Sequence, residues 1–258
     1  MDTDRSRNSL PRLRRLNVIV GGLHGAQAVA ILALAGFGAT LPIDMTYMTG
    51  APGSGDRGGP VELLALPIGL AVAIFLLLAA FDHLSMATWA RGWYERTVPR
   101  GVNPARWWEY SISASLMVAL IAMLSGVTDA VALVAIFGVN ASMILFGLVM
   151  ERANVGRETV DWKPFIYGCI AGAIPWIAIS MQIGVAYAQG SNPPAFVVAI
   201  FVSLFLLFNS FAVNMWLSYR GRGRWSNPLH VERVYLILSL VAKSVLAWQV
   251  YAGAIAGS

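Results

Sequence analysis

Lys243 stands inside the apolar run Leu238-Ser239-Leu240-Val241-Ala242-Lys243-Ser244, ten positions beyond the nearest other cation, Arg233. In a helix rising 1.5 Å per residue, its backbone lies roughly 15 Å past the last charged loop, near the middle of a bilayer. An unpaired ammonium at that depth costs about 2.5–3.5 kcal/mol, so such a lysine is paired, reaches back to water, or does chemistry. The chemistry open to a buried amine is condensation with a carbonyl to form a Schiff base, which would hold a conjugated aldehyde in the core of a helical bundle. Once protonated, that linkage needs a negative charge beside it.

Glu109, in Arg106-Trp107-Trp108-Glu109-Tyr110-Ser111, is the carboxylate placed to provide it. It follows Pro104 into an apolar run that starts from the same side as Lys243. Helical side chains lean toward their own N-terminus, which tips Lys243 back toward Glu109. The plainer alternative is a first-turn carboxylate held by the helix dipole and Arg106. His24 and His83 fall at matching depth in two further apolar runs, so together with Glu109 and Lys243 they form an expected polar cluster. Asp82 is expected to face elsewhere, because helix neighbours diverge by about 100°. Metal binding by His24, His83 and Glu109 lacks any HxxxH or HxxE spacing, and no strand-turn-helix motif presents a nucleophilic serine. Tyr110, Met143, Trp176 and Phe208 are candidate walls for a long apolar ligand, although each serves equally as ordinary core.

A scaffold must bring these residues together, and composition names its class. Of 258 residues, 57% are hydrophobic and only 12% charged, against roughly one quarter charged in soluble domains. Mean hydropathy is +0.66. A soluble enzyme and a disordered tail are both excluded. Apolar runs at about 16–39, 62–90, 105–126, 130–150, 164–188, 195–218 and 234–256 are each near the length that crosses a bilayer. Gln189-Gly190-Ser191-Asn192-Pro193-Pro194 divides the fifth from the sixth. The expected fold is therefore an all-α membrane protein, one seven-transmembrane-helix bundle over 1–258.

Sixteen of the 18 cations fall in the segments before the first span and after the second, fourth and sixth. Only Arg57 lies on the opposite side, so the N-terminus is expected in the cytoplasm and the short C-terminus outside, with no fused output domain. The basic balance then serves orientation and anionic lipid, with no nucleic-acid partner implied. The connection Thr40 to Val61 is a long extracellular loop, expected either to fold back as a short hairpin or to stay mobile. Cys169 is the only cysteine, which rules out a disulfide framework, and it is expected as a small packing residue. Gly21 and Gly25, and Gly168 and Gly172, have the spacing of close helix contacts.

Seven spans with a lysine midway along the last resemble a microbial rhodopsin, yet the N-terminus lies on the opposite side and Ser239 stands where those proteins usually carry Asp. The inverted orientation, the segment Leu238 to Ser244 followed by Ala247-Trp248-Gln249, and Arg106 to Ser111 together resemble heliorhodopsin. The resemblance implies all-trans retinal bound covalently to Lys243, Glu109 as counter-ion, Ser239 hydrogen-bonding near the Schiff base, and His24 and His83 accepting or relaying the proton. It further implies a homodimer and a light-sensing photocycle rather than enzyme catalysis; in the cell membrane, the arginine-rich cytoplasmic face is suited to an acidic signalling partner. A pump needs titratable groups on both sides of the linkage, and after Glu109 the third span carries Ser111, Ser113 and Ser115 but no carboxylate until Asp129. The alternative is a proton or ion transporter that uses the lysine, glutamate and histidines as a relay.

Overall fold

The structure, a computed structural model, describes residues 2–36 and 38–255, with side chains from residue 9 onward; the side chains of Arg5 and Arg7, and residues 256–258, lie outside that description. The chain forms α1 (Asp2–Ala35), a hairpin of β1 (Thr40–Met48) and β2 (Arg57–Pro67), then α2 (Ile68–Ala87), α3 (Arg91–Thr97), α4 (Pro104–Leu124), α5 (Ala130–Ala153), α6 (Lys163–Ala188), α7 (Ala195–Arg220) and α8 (Pro228–Val250). All but α3 are long and apolar enough to cross a membrane, which makes seven spans among the described residues.

Local chemistry sets the helix starts. The Asn103 side chain accepts from Arg106 N at the head of α4, with Pro104 in the first turn. Asp129 accepts from Ala132 N to open α5 at 2.9 Å, and Asn227 accepts from Leu229 N to open α8 at 2.9 Å. These caps satisfy amides that have no partner within their helix. Short connections make successive spans antiparallel, so the arginine-rich segments gather at one end, here called the basic end. There Arg14 Nε donates to Ala87 O, tying α1 to the end of α2.

The helices pack in sequence, α1 on α2, α4 on α5, α5 on α6 and α7 on α8, and α8 returns to α1. α2 and α4 are the inner helices, with more than half of their spanning windows buried, whereas α6 and α7 bury under a fifth. Close approach is purchased with small residues. A Cβ on Gly21 would lie 2.8 Å from Leu84 of α2, and one on Gly172 would lie 3.0 Å from Met143 of α5. At Gly147 of α5 a Cβ would run into the Trp107 ring of α4.

Three expectations need correction. The connection after the first span is an antiparallel hairpin that extends to Pro67, beyond the expected loop; Val61 to Pro67 pair with β1 instead of opening the second span. It rests on the α4–α5 turn through Asp44 N to Thr128 O. A short helix, α3, fills the connection after α2 that the apolar pattern left blank. Cys169 is exposed on α6 and so is not a packing residue of the core.

Candidate functional site

Lys243 is 3% exposed. Its Nζ donates to Glu109 Oε2 at 3.3 Å and to Ser239 Oγ at 3.2 Å. Glu109 Oε1 is also 3.3 Å away, close enough for charge attraction but without a hydrogen bond. Ser239 meets the lysine because it lies one turn earlier on the same face of α8. The Nζ further lies 4.7 Å from the centre of the Tyr110 ring, whose electron-rich face favours a cation. An amine, an acid and a hydroxyl from α4 and α8 thus converge at mid-bundle.

Arg106 does not hold Glu109. Its guanidinium turns toward the basic end, where one Nη pairs with Glu151 of α5 and the other with Glu232 of α8. Asn103 N donates to Glu151 at 2.9 Å and Asn103 Nδ2 to Glu232 at 2.8 Å. The guanidinium also packs on the Tyr235 ring at 4.0 Å. This buried triad was not foreseen. Its signal was present, because Arg106, Glu151 and Glu232 each stand near a span boundary at the same end, but the pairing of α4, α5 and α8 that joins them is a tertiary fact.

From Lys243 a cavity of about 340 Å³ runs between α4, α5, α6, α7 and α8. Tyr110, Met143, Trp176 and Phe208 all line it, as does Ser239 near the lysine. Trp176 takes Phe201, Phe205 and Phe208 edge-on, with ring centres 5.4–5.7 Å apart. The volume lies within the range of small-molecule sites, roughly 300–1,000 Å³. An apolar wall that ends on a buried amine and carboxylate fits a long hydrophobic molecule with a carbonyl at one tip. The residues present therefore suit the implied aldehyde.

His24 and His83 do not line that cavity. They lie beside it, both buried, with their rings stacked at 5.8 Å and 11° apart, and the Lys243 charge acts on both. His83 Nδ1 lies 3.0 Å from Asn17 Oδ1, while His83 Nε2 and both nitrogens of His24 have no partner among the described residues. Asp82, expected to face elsewhere, is half-buried on α2. Tyr94 of α3 was also missed. Its hydroxyl accepts from Asn17 Nδ2 at 3.2 Å and donates to Glu232 at 3.1 Å. Burial, with the Glu232 charge added, pushes its phenol well above the usual value and keeps it a donor.

No curated protein matches the chain. A family model described as heliorhodopsin matches residues 13–255, a stretch that contains the first span from Leu13 onward, the six others whole, the hairpin and every residue of the site. The chain therefore belongs to the heliorhodopsin family, and it is a multi-pass, retinal-binding light-sensing protein of the rhodopsin type.

Proposed function

We propose that all-trans retinal is bound covalently to Lys243 as a protonated Schiff base, with Glu109 as its counter-ion, and that the protein is a photoreceptor rather than a pump or an enzyme. The observation that carries this reading is Lys243 Nζ at the end of an apolar cavity, held by Glu109 and Ser239. Retinal bound there supplies the absorption of visible light and the change of shape that follows. The chain does the rest. Glu109 holds a positive charge at the lysine nitrogen, Ser239 Oγ orients that nitrogen, and Tyr110, Met143, Trp176 and Phe208 exclude water from the apolar wall. His24 and His83 take up the proton that the nitrogen sheds.

Against pumping stands α4, which presents Ser113 and Ser115 on the hairpin side of Glu109 and reaches no carboxylate before Asp129, the cap of α5. A proton displaced toward the histidines then has no carboxylate route to the opposite side. The arginine-rich end is placed in the cytoplasm of the cell membrane, where it meets anionic lipid and an acidic signalling partner. Tyr47, Met48 and Leu63 leave an exposed apolar surface on the hairpin, which supports a homodimer.

The test is the addition of all-trans retinal to the expressed apoprotein. A visible absorption band is expected that survives in detergent and is missing in Lys243→Ala; a wild-type protein that stays colourless overturns the reading.

A further inference from the structure

His83, Asn17, Tyr94 and Glu232 form a continuous hydrogen-bonded line from the histidine pair toward the basic end. It ends at a second cavity of about 190 Å³, lined by Arg100, Asn103, Glu151, Ser226 and Glu232 among others. Imidazole, phenol and carboxylate all pass protons on. Asn17 does not. Relaying a proton through a carboxamide requires its oxygen to take one and its nitrogen to lose one, which leaves an imidic acid.

The orientation of that amide is fixed. Asn17 Nδ2 lies 3.1 Å from Leu13 O as well as 3.2 Å from the Tyr94 hydroxyl. A backbone carbonyl only accepts, so the NH2 must face Leu13 and Tyr94, and the oxygen must face His83. An amide oxygen likewise only accepts, so His83 Nδ1 carries the hydrogen. The neutral ring is then left with a bare lone pair on Nε2, the buried nitrogen without a partner among the described residues.

We propose that Asn17 is a proton stop: it sets His83 as an acceptor through Nε2 and prevents a proton taken there from leaving through Nδ1 toward Tyr94, Glu232 and the second cavity. This deepens the function proposed above and rests on a proton reaching the histidines. The proton that His83 gains at Nε2 makes an imidazolium, which Asn17 Oδ1 stabilises by hydrogen bond at Nδ1 but cannot deprotonate. The charged and titratable groups that face that ring are Lys243 of α8 and His24 of α1, with Asp82 next to it on α2. Because the proton stays inside the bundle, it remains available to return to the lysine nitrogen.

Two measurements test this. In the first, retinal-loaded protein in detergent is illuminated with a pH-indicating dye in the medium while its visible band is followed. Wild type should change colour with no dye response, whereas Asn17→Asp, which replaces the amide with a group that relays protons, should change colour with a stoichiometric proton release. A dye response from wild type, or its absence from a photoactive Asn17→Asp, overturns the stop. The visible band reports separately on the photoreceptor reading. In the second, histidine 15N shifts are recorded on the wild-type protein without retinal, assigned with His83→Gln. A neutral His83 protonated at Nδ1 is expected, with loss of that preference in Asn17→Ala. A ring protonated at Nε2 in wild type overturns the proposal without any appeal to light.

Discussion

Glu109 presents both carboxylate oxygens to Lys243 at the same distance, 3.3 Å, with both side chains almost fully buried. Neither charge has water to fall back on. Removing the acid alone strands an ammonium in the bundle, at about 3–5 kcal/mol. Glu109→Gln should therefore unfold more readily without retinal, and Lys243→Met combined with it should restore most of the loss in a thermal melt. With retinal, Glu109→Gln should absorb at longer wavelength, because light moves positive charge away from the nitrogen that the carboxylate stabilises. An unshifted band would exclude Glu109 as the counter-ion.

Among the described residues, Arg106 is the single cation paired with Glu151 and Glu232. Arg106→Met leaves two carboxylates facing each other in a buried site, and a loss of about 3–5 kcal/mol is expected. Glu151→Gln and Glu232→Gln added to that background should recover much of it. Denaturant or thermal unfolding of the three proteins checks both parts, and equal stability of Arg106→Met and wild type would refute the argument.

Gly147 leaves room for the face of Trp107, which itself borders the ligand cavity. Gly147→Val should lower stability by about 1–3 kcal/mol through overpacking. It should also shift the visible band, since the Trp107 ring that has to give way lines the cavity. A melt and a spectrum from the same sample are sufficient.

Orientation is open to labelling, because Cys169 is the only native cysteine. In a Cys169→Ala background, Arg57→Cys on the hairpin should react with a membrane-impermeant maleimide in intact cells. Arg222→Cys should react only after lysis. The reverse pattern would invert the placement.

The spans were readable because bilayer thickness imposes length and apolarity on each helix separately, and a cluster of arginines marks every second turn. Lys243 and Glu109 were readable for the opposite reason: they break that rule, and only a partner makes the breach tolerable. The hairpin was half-legible. Leu64 and Leu66 look like the start of a span, and only pairing with β1 makes them strand. Asn17, Tyr94 and the Arg106 triad were not legible, since an asparagine or a tyrosine at the edge of an apolar run is unremarkable until its distant partner is known.

The uneven burial of the spans divides the chain into two regimes of tolerance. Along the outward surfaces of α6 and α7 the neighbours are acyl chains, which adapt to any greasy shape, so exchanges among valine, isoleucine, leucine and phenylalanine there should pass almost unnoticed. On the buried faces of α2 and α4 the neighbours are other side chains of fixed form, and the same exchanges would be felt. Drift in this protein should therefore accumulate on the outward faces of α6 and α7 while the inner faces of α2 and α4 stand nearly still.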